Sequence, residues 1–495
     1  MPFSCATLFN TSHDRLRLWR RFVECMRKYP LLVIGFALWF AYIALVYQSV
    51  EMFSSIRLGT YMLPGCIGAL FFVALSLVVM VFVYKKKRFV LGGRLYFVAI
   101  VAAQVCGAAL CVGWRMCGSD NFLAGLTCWV GASVVLGVSS AFVYLEFNRI
   151  MGWLGMVRTL FVSTVATLAG SVIVLVLTSL PTALFYGAFV ALPVAMMVPL
   201  VATLRRNGLA RDYFSHGGTT PIPVPWRFLI TSLAEGLASG LILGGLVATG
   251  GVDTSFPVVF TGHVVTTVLL IVVTFMLQLD FNRLIYQGAF PLIALGLIVL
   301  GCGWFGVAGR IIQTVGHCFL DLLLWGLGSY LIRDADLPAE WITAGPSGAL
   351  FSGLVAGALV GTFFAQGLPG DSQTVLLLIC ASALLLVALL LSSTSNFEHG
   401  WGAIKPGGEN ADQSQVSGAC CLYLAEEHGL TPRESETLLL LAQGLPRKMI
   451  ANELFVSEST VKSHVRSIHR KLMVRTQAEL VELLHSTENM IRPES

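Results

Sequence analysis

Lys462, Arg466 and Arg470 recur every four residues near the C-terminal end of this 495-residue chain. That spacing sets their side chains on one face of a helix. From Ser459 to Ala478 there is no acidic residue, and Lys471 and Arg475 extend the basic run. Fixed cations on a helix face do one kind of chemistry well: they hold phosphate oxygens, and Lys or Arg can also read the edge of guanine. A charge run alone is most often a solvated face. Here, however, Val461, Val465, Ile468 and Leu472 form an apolar stripe opposite the cations, and Ser457 is a good N-cap. The helix therefore has one side to bury and another left for an anionic partner. A second group of reactive side chains lies inside apolar stretches: Glu235, His263, and His317 with Asp321. The last two are four apart on one helix face, where they can pair. Charged groups in lipid cost on the order of a few kcal/mol. Such residues mark either a ligand site or a structural pair.

The elements around the basic helix are legible as well. Thr431, Pro432 and Glu434 spell a capping box with Pro at the first helical position, Leu430 can supply the staple, and Gly444 marks the helix end. Pro446 restarts the chain into a second helix carrying Met449, Ile450 and Leu454, Ser457 opens the third, and Thr476 with Glu479 opens a fourth. Two helices joined by a tight turn, the second beginning with small polar residues, follow the helix-turn-helix plan.

On "LTPRE", "AQGL", "IANEL" and "SESTVKSHV", this segment resembles the DNA-binding domain of the LuxR-type, or NarL/FixJ-type, transcription regulators. The resemblance covers about 55 of the 495 residues. It implies double-stranded DNA as a partner, with Lys462, Ser463 and Arg466 at base edges and Thr460, Arg470 and Lys471 near phosphates. It also implies a homodimer formed through the helix from Thr476. Where that family usually has Gly, this chain has Met473.

The rest of the chain is of a different kind. With 56% apolar residues, 12% charged and a mean hydropathy of +0.79, it reads as a polytopic membrane protein, and its net charge of +5 says little about DNA. Twelve runs of spanning length are expected, at 31–50, 61–84, 92–113, 122–145, 155–178, 181–204, 227–249, 256–279, 287–307, 311–332, 345–367 and 372–393. The predicted fold is all-α: a twelve-span bundle in two six-helix halves, then a small four-helix helix-turn-helix domain. The expected domains are a basic N-terminus at 1–30, the membrane domain at 31–393 with a polar loop at 205–227, a flexible linker at 394–425 and the DNA-binding domain at 426–495.

Lys and Arg concentrate on one side of these spans, while Arg57, Arg115 and Arg310 fall on the other. By the positive-inside rule both termini are expected in the cytoplasm, with the spans in the cytoplasmic (inner) membrane. Two sets of six spans around a central loop are similar in layout to major facilitator transporters, although YKKKRFVLGGRLYF lacks the Asp of that family's loop motif. Gly353, Gly357 and Gly361 have spacing suited to close helix packing. Glu146 and Arg149 read as a structural salt bridge, and Cys111 with Cys117 leaves a disulfide as one option. No cofactor, metal site or enzymatic activity is expected, because no phosphate-binding loop, nucleophile elbow, metal-ligand spacing or catalytic carboxylate pair stands out. The expected function is a membrane-anchored transcription regulator sensing a small molecule or membrane signal; the alternative is a transporter with a regulatory DNA-binding tail.

Overall fold

The computed structural model describes residues 12–48, 55–58, 60–86, 94–117, 122–206, 226–249, 256–276, 283–302, 306–333, 339–367, 370–391, 421, 423–425, 427–442, 450, 451, 454, 456–474, 479, 480, 483, 484 and 487. Most of the linker 394–425, most of the loop 205–227, and Gly444, Pro446, Met449, Arg475 and Thr476 lie outside the described residues. The chain divides into two compact units, Met1–Ser393 and Thr394–Ser495.

The first unit is helical almost throughout. A basic helix, α1 (Ser12–Lys28), precedes α2 (Pro30–Ile43), which runs on as a π-turn to Gln48. A small hairpin of β1 (Ile56–Leu58) and β2 (Tyr61–Leu63) follows. Then come α3 (Ile67–Lys86), α4 (Arg94–Cys117), α5 (Phe122–Leu154), α6 (Met156–Thr178), α7 (Thr182–Arg206), α8 (Trp226–Thr249) and α9 (Phe256–Met276). After a π-turn at Leu284–Ala289 come α10 (Phe290–Gly301), α11 (Gly306–Arg333), α12 (Ala339–Gly367) and α13 (Gly370–Leu391). Each expected span overlaps one of these helices, from α2 to α13, although 61–84 begins on β2. Among the described residues, eleven helical stretches are long and apolar enough to cross a membrane, and Ile67–Val83 of α3 is apolar but shorter.

Large apolar side chains such as Phe71, Phe82, Leu95, Leu389 and Leu390 face outward, as lipid-facing helices require. Burial separates rim from centre. In α13 only 22% of the spanning window is buried, whereas in α11 it is 83%, and α11 also carries Arg310, His317 and Asp321. The helix least tolerable to lipid is the one the bundle encloses.

Backbone contact fixes one helix pair more tightly than the rest. Gly236, Gly240 and Gly244 of α8 lie against backbone of Leu350, Leu354 and Ala358 in α12, while Gly353, Gly357 and Gly361 return the contact to Leu233, Leu237 and Leu241. A Cβ at any of these glycines would run into a backbone carbonyl oxygen of the partner helix. At one end of the bundle, Glu146 accepts hydrogen bonds from Tyr96 and Arg149, each at 2.8 Å, and Arg149 also donates to Glu340. The expected Glu146–Arg149 bridge is therefore part of a buried cluster joining α4, α5 and α12. Gly155, with φ of 79°, turns the chain sharply between α5 and α6, beside the Arg333 side chain. No disulfide joins Cys111, which is buried, to Cys117, which is exposed.

The second unit has its own core, built from Leu438, Leu441, Ile450, Val461, Val465, Ile468, Leu472 and Leu480. Its main described helices are α14 (Pro432–Ala442) and α15 (Glu458–Lys471), with Ile450, Ala451 and Leu454 helical between them.

Candidate nucleic-acid interface and buried polar cavity

The second unit positions its cations by local rules. At the start of α14 the Thr431 N–H donates to the Glu434 carboxylate at 2.7 Å and the Glu434 N–H donates to Thr431 Oγ1 at 3.3 Å. That is the reciprocal capping box the sequence predicts. At the start of α15 the Thr460 N–H donates to Ser457 Oγ at 3.1 Å. Val461, Val465, Ile468 and Leu472 are all buried, and Lys462, Ser463, Arg466 and Arg470 are all exposed. Thr460 is half-buried at the helix start.

Lys471 departs from its neighbours. Its ammonium donates to Glu434 at 2.8 Å and to the carbonyl of Gly429 at 2.9 Å, clamping the end of α15 onto the start of α14. Burial alone would raise the Glu434 carboxyl, but hydrogen bonds from Lys471, Ser467 and Thr431 outweigh it and hold the group down at about 2. The basic run thus contains one structural cation, which charge patterning does not distinguish from the others.

Helix α15 ends in a left-handed residue, Met473, with φ of 54°. The Val474 N–H reaches back to the His469 carbonyl at 2.9 Å and the Met473 N–H to that of Arg470 at 3.4 Å, the pattern of a Schellman motif. The side chain of Met473 is 90% exposed. Glycine is the residue this position favours, and Met473 occupies it at a conformational cost.

In the first unit, the four side chains flagged inside apolar stretches line one cavity. Glu235 comes from α8, His263 from α9, and His317 and Asp321 from α11. The cavity measures ≈ 180 Å³. His317 does not pair with Asp321 as its spacing allows; it sits at 2.8 Å from Ser239 Oγ, with Glu235 Oε1 3.8 Å away. His263 Nδ1 is 2.8 Å from Ser171 Oγ, and its ring meets Phe40 edge-on at 5.1 Å. The carboxyl groups of Glu235 and Asp321 lie within hydrogen-bonding reach of each other. Glu235 is 1% exposed, and its Oε2 has no hydrogen-bond partner among the described residues.

Arg310 is a lining residue that the sequence did not reveal. Reading the span as starting at 311 placed Arg310 in a loop, but α11 begins at Gly306 and turns the guanidinium toward Gln313, 2.5 Å away. Its place on the stripe of Thr314, His317 and Asp321 is the signal that could have found it. Among the described residues, no group of three or more His, Cys, Asp or Glu is arranged to hold a metal ion.

Capped helices, an exposed cationic face on the third and a multi-pass helical bundle define a class: membrane proteins carrying a helix-turn-helix DNA-binding unit. Residues 428–484 match the family model described as bacterial regulatory proteins, luxR family. Spore germination protein GerE of Bacillus subtilis (strain 168) is 45% identical over 60 residues, which is 12% of this chain and 81% of GerE. Through this segment the chain belongs to the luxR family of bacterial regulatory proteins. The nitrate/nitrite response regulator protein NarL of Escherichia coli (strain K12) is 48% identical over 56 residues, 11% of this chain and 26% of NarL. The chain thus spans about a quarter of the length of NarL. The membrane unit is similar to a crystal structure of a Major Facilitator Superfamily transporter, FucP, in the outward conformation. That likeness has 15% identity and a TM-score of 0.42, and covers 75% of this chain and 100% of FucP.

Proposed function

We propose that this protein is a membrane-anchored transcription regulator whose membrane unit senses a small molecule and whose luxR-type unit binds DNA. The observation that carries the reading is the exposure of Lys462, Ser463, Arg466 and Arg470 opposite a fully buried stripe on α15. In this reading α15 enters the major groove. Lys462, Ser463 and Arg466 reach base edges, while Thr460 and Arg470 lie beside phosphates and Lys471, expected there from the sequence, is held by Glu434 instead. Two copies pair and bind paired half-sites. Both termini face the cytoplasm from the cytoplasmic membrane, which puts the DNA-binding unit in the compartment that holds DNA.

The cavity of Glu235, His263, His317 and Asp321 is the sensory site in this reading. A ligand there acts by binding one state of the membrane unit more tightly than another, and it shifts the balance only by that difference. The test is genome-wide DNA occupancy of the full-length protein beside a Lys462→Ala, Arg466→Ala double variant. Discrete sites that vanish in the variant are expected; specific sites that persist in it, or none in either protein, would overturn the reading. One observation favours a second reading, a transporter with a regulatory tail: both halves of the bundle line the cavity, Phe40 and Tyr144 from the first and Glu235 and Asp321 from the second. Uptake into vesicles that Glu235→Ala abolishes would move that reading forward.

A further inference from the structure

Two acidic side chains face each other in the membrane unit, enclosed by a mixed wall. Two carboxyl groups so close in a medium of low dielectric either share one proton or hold a cation between them. Among the groups already present the candidate for that cation is His317, whose Nδ1 lies 3.8 Å from Glu235 Oε1. His317 is taken up by Ser239 on α8, and His263 by Ser171 on α6. Arg310 donates to Gln313 and lies eleven residues from Asp321 along α11, roughly 16 Å along the axis. Meanwhile Oε2 of Glu235, in a side chain that is 1% exposed, has no hydrogen-bond partner among the described residues.

The other wall is aromatic. Trp325, one helical turn beyond Asp321, stacks on Trp39 at 5.4 Å, and Tyr144 meets Phe351 edge-on at 5.1 Å. Ring faces attract an organic cation and also cover an apolar body. An alkali or alkaline-earth ion would leave that aromatic wall unused. The volume, ≈ 180 Å³, is smaller than the roughly 300–1,000 Å³ of pockets for drug-sized molecules, so the occupant is small.

We propose that the cavity binds a small organic ammonium compound with an apolar, ring-bearing body, its charged nitrogen donating to Glu235 and Asp321 and its body lying against Trp325, Tyr144 and Phe351. The proposal deepens the sensing reading above and rests on it for its biological meaning. The nitrogen keeps its proton and its charge throughout, and no bond is made or broken.

The test uses the purified full-length protein in lipid nanodiscs near neutral pH. Phenethylamine and tryptamine are titrated against their neutral counterparts 2-phenylethanol and tryptophol, and against the anions phenylacetate and indole-3-acetate. Thermal unfolding and tryptophan fluorescence report binding. The amines are expected to raise the unfolding temperature in a saturable way, and the alcohols and acids are not. Glu235→Gln and Asp321→Asn should each weaken amine binding by about tenfold or more, the loss expected for a charge-assisted hydrogen bond. Phe351→Leu, which leaves both carboxyls in place, should weaken it less but measurably, so the proposal stays testable if a carboxyl variant folds poorly. Alcohols that bind as well as amines, amines that do not bind, or unchanged binding in well-folded Glu235→Gln would each overturn the proposal. Because these readouts need no DNA, amine binding without any effect on occupancy would remove the sensing role and leave the ligand class, and the converse result would do the opposite.

Discussion

Arg466 and Arg470 sit one turn apart on the same exposed face, yet their assigned tasks differ. Arg466→Ala should cost about 1–3 kcal/mol on the preferred DNA and relax sequence choice, whereas Arg470→Ala should weaken all sequences alike and lower the salt slope by about one. Competition binding against random DNA at several salt concentrations separates the two. Glu434 offers a pH test. Its carboxyl is held at about 2 in the fold, whereas an unfolded Glu titrates near about 4.3. Its stabilisation is therefore fully present above about pH 4.3 and lost as pH falls through about 2. With allowance for solvent screening this is on the order of 1–2 kcal/mol. Hydrogen exchange within α14 should show that loss on acidification, and Glu434→Gln should remove it. Met473→Gly should stabilise the unit by about 1 kcal/mol, because glycine enters the left-handed region without the Cβ penalty; a rise in its unfolding temperature is the check. Residue types and spacing revealed the capping box, the buried stripe and the exposed cations. They did not separate Lys471 from Arg470, because the Glu434 that claims Lys471 lies 37 positions away in sequence.

At the scale of elements, hydropathy placed the expected spans on helices, eleven of which are long and apolar enough to cross a membrane among the described residues, because spanning length and apolar composition are local properties. Starts were placed less well. The loss of Arg310 from the expected site came from a helix that begins five residues before the apolar run at 311, and a partner on the same helix, Gln313, makes that extension tolerable. The glycine spacing in α12 announced close packing, but not with which helix; backbone contact with α8 is a matter of tertiary arrangement. Gly240→Leu should fail to fold or to reach the membrane in normal amount, since its Cβ alone already meets the Leu354 carbonyl. Gly245→Leu, where a Cβ meets nothing within 4 Å, should be tolerated. Expression and monodispersity in detergent compare the two.

For the whole molecule, paired recognition makes a geometric demand on DNA. Inserting about five base pairs between the proposed half-sites turns one to the opposite face of the duplex, and should cost most of the specific affinity; about ten should restore much of it. An occupancy assay on such promoter variants decides whether two copies act together. The α8–α12 seam has a mechanical meaning at this scale as well. Two helices in backbone contact along their length bend and slide with difficulty relative to each other, so they behave as one stiff beam. Glu235 sits partway along that beam and Glu340 near one end, held in the Arg149 cluster. A displacement at the acid pair therefore has little slack to dissipate into, and much of it arrives at the far end as strain on a buried ion pair.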